Sequence, residues 1–204
     1  ALLRYLDTEE VKSFLHISTS TVMLFPFNVQ SFSWSPSGTQ IAYTLRNDAE
    51  LNLIIADASG KNARTIFRTP LASTHLQWVS SDEILFTTTP SSMAEGHAFF
   101  YHLTSGAFTK ILGPFYGLMV HFSPDGKAAL FSHVERGGKN LTLSYYDART
   151  GRSTDLTIAT LPEKCAWAGT DTVYCAVPRA ITTEQWPDQY LRGENTSSDK
   201  IMRI

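Results

Sequence analysis

The residues of this 204-residue chain best placed for direct chemistry are its two cysteines, Cys165 and Cys175. They can join as a disulfide or stand as two buried thiols that behave as small hydrophobes. A tetrahedral metal site would need further Cys or His ligands, and none adjoins them. No Gly-x-Ser-x-Gly elbow, phosphate-binding loop, Gly-x-Gly-x-x-Gly, His-Glu-x-x-His or EF-hand loop occurs. Ser197-x-x-Lys200 matches a nucleophile spacing, but it lies in a polar loop without companion motifs and is read as chance. The six histidines are scattered. His97 and His102 flank a strand start, and His121 alternates with Val120 and Phe122, a pattern typical of hydrogen-bonded surface or channel residues. Asp125-Gly126 lacks the alternating carboxylates of a calcium loop and reads as a turn. Asn140-Leu141-Thr142 and Asn195-Thr196-Ser197 fit the glycosylation acceptor pattern, which matters only in a eukaryotic secretory host. The reading is therefore no catalytic residue, no cofactor and no metal ligand.

Recognition chemistry is better represented. The segment 178–199 contains Glu184-Gln185-Trp186-Pro187-Asp188-Gln189-Tyr190-Leu191-Arg192-Gly193. Trp, Tyr and Arg dominate the energetics of protein interfaces. Trp186 and Tyr190 can equally fold back as a lid over the repeat unit that carries them, and the two readings are compatible. The global charge adds nothing to this: 17 Lys+Arg against 19 Asp+Glu give a net charge of −2, with no field to attract nucleic acid or anionic lipid. A hydrophobic content of 43% is too high for a disordered chain. The longest charge-free stretch is broken by Ser, Thr, Pro26 and Pro36, so no membrane-spanning helix is expected.

These residues sit on a repeat. Trp34, Trp78, Phe122 and Trp167 are spaced by 44, 44 and 45 residues, and Gly60, Gly106 and Gly151 by 46 and 45. Two residue classes thus share one period of about 45. Within the first full unit, Phe32-Ser33-Trp34, Ile41–Thr44, Leu51–Ala56 and Ala63–Phe67 read as four short strands joined by tight turns. The order recurs as 76–78, 84–86, 99–101 and 108–111, and again as 120–122, 129–131, 143–145 and 154–156. Four strands per 45 residues is the pattern of a β-propeller blade, so the predicted fold is all-β. Only the insert at Thr182–Tyr190 has room for a helical turn. In this register Cys165 corresponds to Phe32, Leu76 and Val120, and Cys175 to Tyr43, Phe86 and Phe131. The two cysteines therefore face the same apolar side of one hairpin, within reach of a disulfide.

Trp34-Ser35-Pro36-Ser37-Gly38 with Ile41-Ala42-Tyr43, and Phe122-Ser123-Pro124-Asp125-Gly126-Lys127 with Leu130-Phe131, resemble the repeat of TolB-type WD40-like β-propellers. Ile55-Ala56-Asp57-Ala58-Ser59-Gly60 and Tyr146-Asp147-Ala148-Arg149-Thr150-Gly151 resemble the turn between the third and fourth strands of those blades. Two of the four units carry the resemblance clearly. The others have Val79-Ser80-Ser81-Asp82 and Ala168-Gly169-Thr170-Asp171, without the proline and one residue shorter. We read residues 1–204 as one propeller segment: 1–28 the end of a blade opening on its third strand, 29–70, 71–115 and 116–160 whole blades, and 161–204 the start of a last blade with the insert 178–199. That arithmetic favours a segment of a larger ring whose incomplete blades can self-associate.

These motifs specify turns and leave activity open. The leading expectation is a non-enzymatic binding or scaffold module that engages a protein or glycan through the loops between second and third strands. Trp186, Tyr190, Arg192, Arg46 and Arg136 are its candidate contact residues. The resemblance, together with a disulfide if it forms, implies an extracytoplasmic setting in a bacterium, whether periplasmic, cell-surface or secreted. The rival reading is the gating propeller of a prolyl-oligopeptidase-type serine peptidase, whose catalytic domain would lie outside this sequence. A propeller enzyme with acids in its central channel ranks last, because the equivalent positions Gln30, Thr74, Leu118 and Glu163 supply one acid.

Overall fold

The computed structural model describes residues 2–7, 10–18, 21–25, 28–47, 49–71, 73–181, 185–194 and 197–204. Insert residues 182–184 and Asn195-Thr196 of the second acceptor pattern lie outside them. The chain divides into two compact units, 1–84 and 85–204.

The first unit opens with an antiparallel meander of β1 (Leu2–Asp7), β2 (Glu10–Ser18) and β3 (Thr21–Leu24). Half a blade was the expectation for this segment; it holds three strands. Thr21–Leu24 is too short to show an alternating pattern, yet it pairs with β2 from Ser18↔Thr21 to Phe14↔Leu24. A complete four-stranded blade follows in the order β4 (Val29–Trp34), β5 (Gln40–Arg46), β6 (Leu51–Asp57) and β7 (Arg64–Thr69). Phe32 lies opposite Tyr43, and Tyr43 opposite Ile54. Their side of the sheet gathers Val29, Ile41, Tyr43, Ile54 and Ala56 with Phe25 into one apolar cluster.

The Ser-Pro turn is held by its serine. Ser35 Oγ accepts the Gln40 N–H at 3.0 Å, and the Gly38 N–H donates to the Ser35 carbonyl at 2.8 Å. In the third repeat Ser123 plays the same part, accepting from Ala128 and Gly126. Asp57 and Asp147 each fold a carboxylate back onto the N–H groups of their own turns, which is why these residue types recur between third and fourth strands. The first unit ends on β8 (Thr74–Trp78), whose Leu76 and Trp78 N–H groups donate to Ser31 and Ser33 of β4 at 2.9 and 2.8 Å.

Around the division between the units runs β9 (Glu83–Thr88). The second unit continues with β10 (Glu95–His102), β11 (Phe108–Phe122), β12 (Ala128–Val134), β13 (Thr142–Asp147) and β14 (Arg152–Asp155), neighbours in that order. Here the structure departs from the repeat reading. The fourth strand of one repeat and the first of the next are a single 15-residue strand, β11. Its first part pairs with β10 and its last part with β12, the two ladders meeting at Tyr116. The strand passes through an irregularity at Gly113, φ +98°, with no separate linker between the repeats. A 3₁₀ turn (Pro162–Lys164) then leads to the sheet β15 (Cys165–Trp167), β16 (Val173–Pro178) and β17 (Asp199–Arg203). Between β16 and β17 lies α1 (Asp188–Leu191), the helical turn expected in the insert.

Cys165 lies directly opposite Cys175, as Phe32 lies opposite Tyr43 and Val120 opposite Phe131. The two cysteines are joined as a disulfide. With Val173 and Val177 they pack on Leu130 and Leu143 of β12 and β13. Lys164, its side chain 8% exposed, reaches Asp199 at 2.8 Å and ties the start of β15 to the start of β17. That hydrogen bond, followed by one from Ser197, holds the Asp199 carboxyl below its ordinary range.

Replacing both cysteines by alanine removes a covalent tie and leaves a small void, and should lower stability by about 2–5 kcal/mol in urea unfolding. Under non-reducing denaturation, alkylating reagents should label neither wild-type cysteine; labelling of both would contradict the disulfide. Because the Asp199 pKa is depressed by folding, its contribution is full above the ordinary aspartate range and is lost as pH falls through the folded value. Asp199→Asn should therefore flatten the loss of stability on acidification below pH about 4, and an unchanged acid profile would contradict the assignment.

Candidate functional site

In a propeller the loops joining second to third strands emerge on one face. Three such connections come together in the second unit: β9 to β10, β12 to β13, and the insert between β16 and β17. Their meeting is made by backbone groups. The Gly117 N–H donates to the Ser91 carbonyl at 2.7 Å, and the Gly137 N–H to the Ser92 carbonyl at 2.9 Å. The Trp186 N–H donates to the Gly138 carbonyl at 3.1 Å. Asp188, at the start of α1, accepts the Ser92 N–H at 2.7 Å across 96 residues of sequence. A carboxylate acceptor makes this the charge-assisted member of the set.

Two glycines allow the insert to lie so close. Gly138 has φ +92°, and a Cβ there would stand 2.5 Å from Gln185 Cα and 2.7 Å from the Trp186 nitrogen. At Gly117, φ +64°, a Cβ would stand 2.8 Å from Val134 and 2.9 Å from the Pro187 ring. Any other residue would push the insert off its seat.

Seated there, Trp186 is 3% exposed and packs among Met119, Val134, Leu141 and Leu161. Tyr190 stacks on it with ring centroids 6.0 Å apart and planes 25° from parallel. Burial, then the nearby Glu163 and Asp199 carboxylates, push the Tyr190 hydroxyl pKa up. The insert folds back, but onto the preceding blade rather than its own, since Met119 and Val134 belong to β11 and β12. Trp186 is a core side chain and offers no exposed anchor; Tyr190 is half-buried beside it. Arg192 is exposed and bound bidentately by Glu194 at 2.6 and 2.9 Å. Arg136 is exposed at the tip of the β12–β13 loop. Arg46 belongs to the first unit, at the end of β5, where its N–H donates to the Asn28 carbonyl at 3.1 Å. Sequence reasoning missed Ser92, Gly117, Gly138 and Asp188. The adjacent glycines Gly137-Gly138 were the available signal, since paired glycines in a hairpin loop mark close backbone approach.

The chemistry weighed from sequence falls into ordinary structural roles. Ser197 accepts from Lys164 at 2.9 Å and donates to Asp199 at 2.8 Å, so its partners are not those of the Ser197-x-x-Lys200 pattern. His121 contacts the Pro162 carbonyl, His102 contacts Thr109, and His133 stacks on Phe115 and faces Asp155 at 3.7 Å. Among the described residues no three His, Cys, Asp or Glu side chains converge as metal ligands. None of their helices is long and apolar enough to cross a membrane.

No protein-family model matches this sequence, and no curated protein matches it significantly. Solved structures do match. TolB from Acinetobacter baumannii aligns over 88% of this chain and 46% of its own, with a TM-score of 0.69 and 18% identity. The tricorn protease aligns over 88% of this chain and 18% of its own, at TM-score 0.60 and 13% identity. The β-propeller domain of the Trilobed protease from Pyrococcus furiosus aligns over 100% of this chain and 63% of its own, at TM-score 0.58 and 10% identity. The chain thus spans less than two thirds of the length of each. What they share with it is architecture: the chain has the fold of TolB-type and related β-propeller domains.

Proposed function

We propose that this chain is a non-enzymatic, exported binding module that engages a protein or glycan through the loop face of its second unit. The observation that carries this reading is the stitching of three loops by the backbone donors of Gly137, Trp186 and Ser92, the last onto the Asp188 carboxylate, with Gly117 of β11 anchoring Ser91. A seated insert costs conformational entropy, and a preordered surface is the form in which that cost returns as affinity. Around the stitched backbone stand exposed side chains suited to contact: Met93 at the β9–β10 loop, Arg136, Leu191 and Arg192. The disulfide between Cys165 and Cys175, oxidised and buried, supports an extracytoplasmic setting.

The roles of these residues separate in measurement. Trp186→Ala should cost about 3–5 kcal/mol of stability, as a core truncation does. Met93→Ala, Arg136→Ala and Arg192→Ala should each change stability by less than about 0.5 kcal/mol. The three surface variants, tested against wild type for capture from a periplasmic extract and on a glycan array, should weaken binding while leaving the unfolding curve in place. Gly138→Ala should weaken binding as well, by unseating the insert without removing a contact side chain. Wild-type binding by all three surface variants and by Gly138→Ala would overturn the proposal.

A further inference from the structure

Within the second unit, between the sheet of β12 and β13 and the sheet of β15 and β16, lies a cavity of about 290 Å³. Leu130, Leu156 and Val173 line its aliphatic part, with Ile204, whose backbone exchanges hydrogen bonds with Val173 at 3.1 and 2.8 Å. Two aromatic residues join them, Tyr145 of β13 and Trp167 of β15. The turn from β15 to β16 contributes Thr170 and Asp171. Since β16 runs from this turn to the insert, the cavity and the loop face lie at opposite ends of that strand.

The polar groups around this cavity are not spent on the fold. In the preceding repeat the turn carboxylate, Asp125, accepts the Ser123 hydroxyl at 2.7 Å and the Lys127 N–H at 3.2 Å. The shorter turn Ala168-Gly169-Thr170-Asp171 has no such serine, and its exposed Asp171 makes no hydrogen bond or ion pair among the described residues. Tyr145 is 39% exposed, so its ring can be reached from solvent. The Trp167 indole N–H is buried with no hydrogen-bond partner among the described residues, a donor that the protein leaves unpaired.

We propose that this cavity binds a small, free quaternary ammonium ion, its methyl groups against Tyr145, Trp167 and the aliphatic lining and its charge held by Asp171. Asp171 is the one charged residue among those lining the cavity, so an anion would meet repulsion and find no cation there. Aromatic faces attract a cation through the ring quadrupole, and alkylation of the nitrogen lowers the cost of placing it beside aliphatic carbon. Ligand pockets start at about 300 Å³, which confines the occupant to a small molecule. A hydroxyl on that molecule would supply the acceptor that the Trp167 N–H lacks.

Choline chloride, titrated at constant ionic strength and read by the indole N–H resonances of the isotope-labelled chain, tests this. The indole resonance that Trp167→Phe removes should move and saturate at millimolar choline. The neutral isostere, with carbon in place of the choline nitrogen, should bind at least about tenfold more weakly. Asp171→Asn should raise the choline dissociation constant by about tenfold and leave the unfolding curve in place, because the side chain is exposed. Arg136→Ala, on the loop face, should bind choline as wild type does. No saturation, equal binding of the neutral isostere, or wild-type affinity in Asp171→Asn would each overturn the proposal. So would a loss in Arg136→Ala as large as that in Asp171→Asn.

Discussion

A propeller blade is a short sheet with two apolar faces, and burying both requires a blade on either side. The observed structure follows from that requirement. It sets the period, because each unit must return its first strand to the same place against its neighbour. It also accounts for the pairing of small with large residues across blades: Cys165, Val173, Cys175 and Val177 lie over Leu130 and Leu143, where bulkier groups would hold the sheets apart.

The disulfide belongs to this logic as well. In the other repeats the equivalent cross-strand pair is aromatic or aliphatic, Phe32 with Tyr43 and Val120 with Phe131. In the last sheet a covalent bond stands where those side chains would pack. Lys164 and Asp199 add a second tie between the outer strand and the inner one. The insert joins the same sheet to the preceding loops through Gly138 and Ser92.

Much of the fold was legible in the sequence because turns and alternation are local. Ser35 and Ser123 hold their hairpins with contacts five residues apart, and such short-range chemistry repeats visibly from unit to unit. The cysteine pair was placed by register alone. The continuity of β11 was not legible, since the repeat assigns its two parts to different units and only pairing first with β10 and then with β12 joins them as one strand. The candidate site was half legible. Trp186 and Tyr190 stood out by residue type, but whether a tryptophan is buried depends on a seat 48 residues away at Gly138, which no local pattern announces. Asp188 acts across 96 residues, and its role is invisible without the fold.

The central claim is that the insert and its neighbouring loops form one seated surface, with backbone amides engaged as in the sheets. Amide hydrogen exchange of the wild-type chain measures this directly. The account predicts that the N–H groups of Ser92, Gly117, Gly137 and Trp186 exchange as slowly as those of β12 and β13. Exchange of all four at the rate of free loop amides, with β12 and β13 protected, would contradict it.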